Sequence, residues 1–229
     1  MMKLLKGIKS PLLISAVMLL ICGLGYPLLL TGISQIIFPH QANGSLVTID
    51  GRNAGSELIG QDFTDPRFMK GRPSAVNYNT YTQEDKANGN YTGVSSGSRN
   101  YAPTNPELVK RVKADIEKFL SSNPSIDKED IPTDLLTASG SGLDPHISLA
   151  SAAVQIPALV ETTGLPGELL EDIVKKNTQD KILGIFGEET VNVLKVNLEI
   201  VKELGLAEQT SNKTGYLCYL NVKWVIIIQ

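Results

Sequence analysis

The sequence predicts an α+β protein with one N-terminal transmembrane helix followed by a helix-rich extracytoplasmic domain. A continuous apolar run without any charged residue covers residues 11–39. Beyond it, hydrophobic residues at helical spacing alternate with short β-branched runs, which indicates a mixed domain richer in helix than in strand. The composition, 42% hydrophobic and 20% charged, excludes a wholly disordered chain and a transporter with many spans.

These observations divide the 229-residue chain into four parts. We expect a cytoplasmic N-terminus (1–10), a transmembrane helix (11–38), an extracytoplasmic domain (39–208) and a divergent C-terminal tail (209–229). Within the tail, Val222–Ile228 is too short to span a bilayer. It is either an added strand or an end without a role.

The apolar run is long enough to cross a membrane, since a bilayer core needs about 20 helical residues. Lys3, Lys6 and Lys9 precede it without any acidic residue. Basic residues beside a span stay in the cytoplasm, which places the C-terminal domain outside. The alternative is a secretory signal peptide, whose apolar region is only about 7–15 residues long. The longer run and the poor cleavage sequence at residues 36–39 favour an uncleaved anchor in the cell membrane.

One face of the predicted span carries small residues at spacings of seven, three and seven: Ser15, Cys22, Gly25 and Gly32. Small residues let a second helix approach closely in lipid, so this face is a candidate docking surface for a partner's transmembrane helix. The alternative is the ordinary tolerance of membrane helices for glycine. Pro27 leaves the carbonyl of Gly23 without its usual donor and predicts a kink.

The first half of the domain combines a hairpin with a long polar loop. Leu46–Ile49 alternates toward Asp50-Gly51, a dipeptide typical of hairpin turns, and a second strand is expected near Ser56–Ile59. Residues 72–101 are rich in Asn, Tyr, Thr, Ser and Gly, with almost no aliphatic side chains. We interpret them as a long surface loop, and loops of this length are often functional.

The second half is mainly helical. Asn105 and Pro106 are a cap and a first-turn proline for a helix that ends near Leu120. Leu135–Thr137 is predicted as a brief strand before a glycine-serine turn. The further elements are a helix over 150–156 that Pro157 must bend or restart, a helix opening at Pro166-Gly167, a strand over 190–193, and a last helix ending at Gly205.

No pattern of catalytic residues is evident. The histidines are His40 and His146, and neither has companions at metal-ligand spacing, so no metal site is predicted. A hydrolase would pair His146 with a serine such as Ser141, but no Gly-x-Ser-x-Gly elbow is present. The sequence Gly140–Gly142 before a helix is one way to cradle an anion. However, no Walker lysine follows and Asp144 adds negative charge, so a capped turn explains it better.

The positions of the cysteines and the net charge further limit the class of protein that the sequence predicts. Cys22 lies in the apolar run and Cys218 in the tail, so the domain between them folds without disulfides. The net charge of -3 and the lack of any Lys/Arg block argue against nucleic acid as a partner. We interpret the domain as an accessory or interaction module fixed to the lipid bilayer, with no catalytic residue and no cofactor of its own.

Several segments resemble one family in their order and spacing. They are Tyr26–Leu28, Gln41–Leu46, Gly55–Phe63, Gly71–Ala75, Thr104–Leu108, Thr137–Ser148, Val191–Leu194 and Asn197-Leu198. Together they resemble KdpC, the C-subunit family of the Kdp potassium-transporting P-type ATPase, over about residues 5–208. The tail after about Gln209 has no counterpart in this resemblance.

The resemblance implies a place in a pump that takes up potassium at high affinity and uses ATP and Mg. The implied partners are the Kdp ATPase subunit, the channel-like potassium-binding subunit and the small Kdp membrane subunit. The C subunit of this family is described as a catalytic chaperone that raises the affinity of the ATPase subunit for ATP. Gln61 corresponds to a glutamine linked to that description.

The predicted topology favours an indirect effect on ATP, because a charged nucleotide cannot be shared across about 30 Å of hydrocarbon. We expect the domain to lie over the potassium entrance and to stabilise the complex. The candidate subunit contacts are Asn43, Gly44, Ser45, Gln61, Arg72, Pro73, Ser74, Thr137, Ser139, Gly140, Ser141, Gly142 and Asp144. The alternatives are that these turns serve folding alone, that the domain binds ATP directly in a ternary complex with the ATPase subunit, or that it is a membrane-tethered hydrolase.

Overall fold

The structure, a computed structural model, describes residues 2–49, 52–81, 87–89, 93–181, 183–206 and 222–223. The chain forms two compact units, Met1–Leu46 and Val47–Gln229. The predicted turn at Asp50-Gly51 and most of the predicted tail lie outside the described residues.

The first unit is a helix built from α1 (Met2–Leu20), a π-helical turn (Ile21–Gly25) and α2 (Tyr26–Ile37), followed by a short α3 (Pro39–Ala42). Over Ile8–Ile37 it is long and apolar enough to cross a membrane, and none of the apolar stretch is buried inside the protein. The predicted apolar N-terminal helix is therefore present.

The π-helical turn lies directly before Pro27. The N–H of Tyr26 donates to the carbonyl of Ile21, which is the i→i+5 pattern of a π turn. Proline has no N–H, and its ring would clash with the carbonyl of Gly23 in a regular α-helix. The wider turn accommodates this, so the disturbance that Pro27 predicts takes the form of a π bulge.

The largest sheet among the described residues is antiparallel and has three short strands. In it, β6 (Thr190–Asn192) lies between β4 (His146–Ser148) and β5 (Thr178–Gln179). Ile147 pairs with Val191, and both side chains are buried. The strand predicted over 190–193 is confirmed, except that its last residue begins a helix.

Two further sheets in the described part of the chain have two strands each. One joins β1 (Leu46–Ile49) to β2 (Arg52–Ser56). The other joins β3 (Asp62–Phe63) antiparallel to β7 (Val222–Lys223). Part of the segment near the C-terminus is thus a strand, which is the first of the two alternatives given for it.

The helices described in the second unit are α4 (Pro106–Ser122), α5 (Leu149–Ala153), α6 (Ile156–Thr163), α7 (Gly167–Lys176) and α8 (Val193–Glu203). Asn105 caps α4 as predicted, because its side chain accepts the N–H of Glu107. Ser148 and Asn192 cap α5 and α8 in the same way. The restart predicted at Pro157 is confirmed, since α5 ends before it and α6 begins around it.

The hydrophobic core lies around α8, α7 and the three-stranded sheet. The buried residues of α8 are Val193, Leu194, Val196, Asn197, Leu198, Ile200 and Val201. Phe68 and Met69, from the chain after β3, are also fully buried. In contrast, α4 has no buried residue and covers the core with partly buried side chains such as Ile116 and Phe119.

Two predicted strands are wrong. The strand expected near Ser56–Ile59 ends at Ser56, where the Ser56 hydroxyl accepts the N–H of Leu58 and its carbonyl accepts the N–H of Ile59, which closes a turn. The strand expected at Leu135–Thr137 is instead a 3₁₀ turn at Thr133–Leu135. Local side-chain hydrogen bonds compete with strand formation at such positions.

The long polar loop is only partly a surface loop. The described parts of residues 72–101 contain one 3₁₀ turn, Asn77–Asn79, and no strand pair of the three sheets. However, Tyr78, Asn79 and Thr80 are buried. The loop therefore contributes to the interior, which its composition does not predict.

Candidate functional site

Two of the predicted contact segments join into a single surface, which we call the paired loops. They are residues 72–80 with 93–101, and residues 137–144. Arg72 Nη1 lies 3.0 Å from Asp144 Oδ2. The Ser74 hydroxyl donates to the carbonyl of Gly142 at 2.6 Å. The N–H of Gly97 donates to the carbonyl of Ser141 at 2.8 Å, so the two loops are fixed at several points.

The turn in the second loop depends on side-chain caps and on one glycine. The Ser139 hydroxyl accepts the N–H of Gly142 at 2.9 Å, and the Ser141 hydroxyl accepts the N–H of Leu143 at 3.1 Å. Gly142 has a φ of +66°, and a Cβ there would lie 2.8 Å from Val76 Cγ2. A side chain at this position is therefore excluded both by conformation and by space.

Gly140 differs from Gly142 although both belong to the same glycine-serine turn. A Cβ added at Gly140 would meet no heavy atom within 4 Å. Thr137 and Pro73 line a groove of about 490 Å³ that reaches α4 at Arg111. Gly142 is therefore closely packed between the two loops, whereas a side chain at Gly140 would have free space.

Tyr78 is a buried residue of the first of the paired loops and stabilises the backbone of that loop. Its hydroxyl donates to the carbonyl of Arg72 at 2.6 Å, and its N–H donates to the Ser74 hydroxyl at 2.9 Å. Burial raises the pKa of Tyr78 far above its usual range. A Cβ at Gly60 would lie 2.5 Å from Tyr78 Cε1 and 2.6 Å from the carbonyl of Asp144. A glycine is therefore needed at position 60, because Tyr78 and the backbone of Asp144 leave no space for a side chain.

Asp144 is the charged centre of the paired loops. Burial raises its pKa, but hydrogen bonds from His146 and the neighbouring Arg72 outweigh this, so the pKa of Asp144 lies below its usual range. Its Oδ1 accepts the N–H of His146 at 3.0 Å. The carboxylate lines a shallow pocket of about 500 Å³ together with Ser139 and Leu58. The ion pair of Asp144 with Arg72 therefore lies in a surface whose two loops are joined by hydrogen bonds.

Gln61 lies inside the second unit. Its side chain is 9% exposed, and its Nε2 donates to the carbonyl of Ala54 at 3.0 Å. A Cβ at Gly55 would lie only 2.1 Å from Gln61 Nε2, so the glycine makes room for the amide. Gln61 Oε1 is buried and has no hydrogen-bond partner among the described residues. This geometry connects Gln61 to β2.

His146 and Ser141, the pair that the hydrolase alternative would need, are not joined by any hydrogen bond of the described residues. His146 Nδ1 lies 3.6 Å from Asp144 Oδ1, and its Nε2 lies 3.5 Å from Asn192 Nδ2. The Ser141 hydroxyl is instead used by Leu143. Within the described part of the chain, no three His, Cys, Asp or Glu residues form a group that could hold a metal ion.

Asn43, Gly44 and Ser45 form the turn that ends α3. Asn43 Nδ2 donates to the carbonyl of Pro39 at 2.7 Å, and the amides of Asn43 and Gln35 lie 3.3 Å apart. Gly44 and Ser45 both have left-handed φ values, 85° and 49°. These residues therefore close the end of the apolar helix through local hydrogen bonds.

The small residues of the first unit remain a predicted face. Ser15, Cys22, Gly25 and Gly32 are all exposed. Cys22 and Gly25 lie within the π-helical turn. A π turn takes in one more residue than an α turn. The angular separation of Ser15 and Gly32 around the helix axis therefore differs from that in a regular α-helix.

Sequence reasoning missed an apolar tip between β5 and β6, which we define as Leu183–Phe186. Leu183, Ile185 and Phe186 are 84%, 76% and 63% exposed. A detectable signal was available, because Gly184 and Gly187 interrupt this apolar stretch and glycines of this kind mark turns. An apolar turn is unusual on a free surface.

The fold and the site define a class of protein: a small α+β unit that follows one apolar helix, with a fixed loop surface. This class is consistent with a membrane-associated protein. The family model described as "KdpC: K+-transporting ATPase, c chain" matches residues 8–202. The chain therefore belongs to the KdpC family.

Several relatives called potassium-transporting ATPase KdpC subunit are similar over nearly their whole length. The relative from Clostridium kluyveri is 75% identical over 201 residues, covering 88% of this chain and 96% of the relative. That of Clostridioides difficile is 59% identical over 207 residues, covering 88% and 100%. That of Caldanaerobacter subterraneus subsp. tengcongensis is 44% identical over 197 residues, covering 86% and 95%. Membership of this family implies other Kdp subunits as partners.

Proposed function

We propose that the chain is a non-catalytic accessory subunit of an ATP-driven pump for high-affinity potassium uptake. It stabilises the complex and acts as a catalytic chaperone for the ATPase subunit. The observation that carries the proposal is the family match over residues 8–202, with 75% identity to a potassium-transporting ATPase subunit. In this proposal the ATPase subunit uses ATP and Mg, and the channel-like subunit binds potassium.

The proposed orientation places residues 1–10 in the cytoplasm and the globular unit outside the cell membrane. Lys3, Lys6 and Lys9 support it, because basic residues are retained on the cytoplasmic side. In this topology the span crosses the bilayer once, and the second unit faces the side from which potassium is taken up.

The proposed effect on ATP affinity is indirect. ATP is hydrolysed on the side of the membrane opposite to the globular unit, and about 30 Å of hydrocarbon separates the two. The burial of Gln61, and its hydrogen bond to Ala54, support a structural role for this glutamine over a contact with nucleotide. The effect then passes through the helix and the assembled partners as a coupling free energy.

The paired loops are the proposed contact with the channel-like subunit, near its potassium entrance. The proposal is supported by the contacts that hold the two loops together in the isolated chain. They are the hydrogen bonds from Ser74 and Gly97 and the ion pair of Arg72 with Asp144. A surface that is already ordered loses little entropy on binding. Asn43–Ser45 would keep the globular unit close to the membrane.

Orientation is tested by cysteine labelling in intact cells. In a chain with Cys22→Ser and Cys218→Ser, Lys113→Cys places one thiol on the exposed side of α4, and Met2→Cys places one before the span. An impermeant thiol reagent should label Lys113→Cys before lysis and Met2→Cys only after lysis. The reverse pattern would refute the orientation and revive a direct nucleotide contact.

The chaperone role is tested with the purified pump, with and without this subunit. Removing the subunit should raise the ATP concentration at which ATP hydrolysis is half-maximal. A photoreactive ATP analogue should label the ATPase subunit and leave this chain unlabelled. Labelling of this chain that excess ATP prevents would overturn the indirect mechanism.

A further inference from the structure

We infer that the apolar tip, Leu183–Phe186, anchors this subunit in an apolar pocket with a basic rim on another protein subunit of the pump. The inference rests on the proposed function in one respect, that the chain assembles with other Kdp subunits. It concerns a surface separate from the paired loops, which supplies a second point of attachment.

The apolar side chains of the tip are unusually exposed to solvent. Within the described residues of the second unit, Leu183, Ile185 and Phe186 are the three most exposed large hydrophobic side chains. The others, for example Leu58 at 60% and Val109 at 46%, occur singly along the chain. Isolated exposed apolar residues are normal, but a cluster of this kind marks a contact site.

The tip has a defined backbone conformation. It lies in the connection between β5 and β6, and Val191 of β6 is fully buried. The N–H of Gly184 donates to the carbonyl of Lys181 at 2.9 Å. Leu183 has a φ of 55°, which is strained for a side chain of this size. Strain of this kind collects at functional sites.

Charge identifies the kind of partner. Three exposed acidic residues flank the tip, Asp180, Glu188 and Glu189, against one exposed lysine, Lys181. None of the ion pairs among the described residues uses these acids. An acidic rim is repelled by anionic phospholipid headgroups and attracted by a basic protein surface. The binding site for the tip is therefore a pocket on a protein. Its walls are apolar and accommodate the three side chains, and Lys or Arg residues lie around its edge.

The first test compares matched surface variants in the complete pump. Ile185→Ser with Phe186→Ser removes most of the apolar tip, and Val109→Ser removes an exposed apolar side chain from α4. The tip variant should lower the affinity of this subunit for the remaining subunits about tenfold or more, as expected for a buried apolar anchor. Val109→Ser should bind like the wild type. Equal binding of both variants would overturn the inference.

The second test separates a protein pocket from a lipid surface. A photoreactive phenylalanine analogue, p-benzoylphenylalanine, replaces Phe186 in the complete pump, and the same analogue at Val109 is the control. The expected product is a cross-link from position 186 to one Kdp subunit. Cross-links to lipid alone, or to no subunit, would overturn the inference. The proposed function fails separately if the wild-type chain recovers no other pump subunit.

Discussion

At the scale of single residues, two glycines of one turn have opposite roles. Gly142→Ala should destabilise the folded state by about 2 kcal/mol or more, because an alanine would have to adopt a left-handed φ while its Cβ overlaps Val76 and Gly97. Gly140→Ala meets open space and should change stability by less than about 0.5 kcal/mol. Urea unfolding of the full chain in detergent measures both. Equal effects would show that the paired loops do not form the close contact described.

Lys70 makes stability depend on pH. Burial lowers its pKa from 10.5 to about 8, although Asp65 and Asp62 act in the opposite direction. Its ammonium group donates to the carbonyl of Asp65. Between these two pKa values the unfolded chain holds a proton that the folded chain has released, so the free energy of unfolding should rise as pH increases from about 8 to 10.5. Below pH 8 the full penalty for the buried charge is present.

The variant Lys70→Met isolates this contribution. It removes the charge but keeps the length of the side chain, so stability at neutral pH should increase and the rise between pH 8 and 10.5 should become smaller. Lys175→Met, on the exposed surface of α7, is the control and should leave the slope unchanged. A slope that Lys70→Met does not alter would assign the pH dependence to other groups.

At the scale of elements, two buried amides fix the chain after β3 to the helices. Asn197 of α8 accepts the N–H of Met69 at 2.8 Å and donates to its carbonyl at 2.9 Å. Gln155 does the same for Lys70, at 2.8 Å and 3.2 Å. This segment thus has backbone pairing like that of a strand, but its partners are side chains.

Because both backbone groups of Met69 are buried, Asn197→Ala should cost at least about 2 kcal/mol of stability. Gln155→Ala should cost less, since Lys70 is only half-buried. In a double-mutant cycle the combined loss should be smaller than the sum, because either change releases the same segment. Additive losses, measured by urea unfolding, would indicate that the two amides act independently.

The sequence predicted elements well where the signal was local. Asn105 before Pro106 predicted the start of α4, and Pro157 predicted the break between α5 and α6. The strand expected at Leu135–Thr137 failed because a 3₁₀ turn ends there, with the Thr137 hydroxyl donating to the carbonyl of Thr133. Short runs of this kind are decided by tertiary contacts more than by propensity.

The same limit applies to the candidate site: the sequence indicated the local segments but not the contacts between them. Composition marked residues 72–101 as a long loop, and the family resemblance made residues 137–144 candidate contacts. Neither showed that Arg72 and Asp144 form an ion pair across the two loops. Pairings between distant segments depend on the whole fold, and a single sequence holds no local pattern for them. Likewise, the burial of Gln61 follows from the space that Gly55 leaves, and only the three-dimensional arrangement reveals it.

At the scale of the whole molecule, the two units are stabilised by different means. The second unit has its own core, in which residues of α7 and α8 are almost completely buried. In the first unit, none of the apolar stretch over Ile8–Ile37 is buried among the residues that the structure describes. Such a helix requires lipid or another helix around it. Its surface is therefore available to determine which partner the subunit joins.

Two glycines within the π-helical turn test whether one face of this helix contacts a partner. Residues two apart lie nearly opposite each other on a helix, so Gly25 belongs to the predicted small-residue face and Gly23 does not. A Cβ at either position meets only ordinary contacts, 3.5 Å to the Leu20 carbonyl for Gly25 and 3.9 Å to Leu19 for Gly23. A Cβ therefore fits at either position, and both positions are exposed.

Gly25→Leu should reduce the recovery of the other pump subunits with this chain several-fold, because a large side chain separates two helices that meet through small residues. Gly23→Leu should leave recovery unchanged. Quantitative co-purification in mild detergent, at matched expression, measures the difference. Equal recovery would mean that glycine at position 25 reflects only the general tolerance of membrane helices, and the globular unit would then have to supply the specificity of assembly.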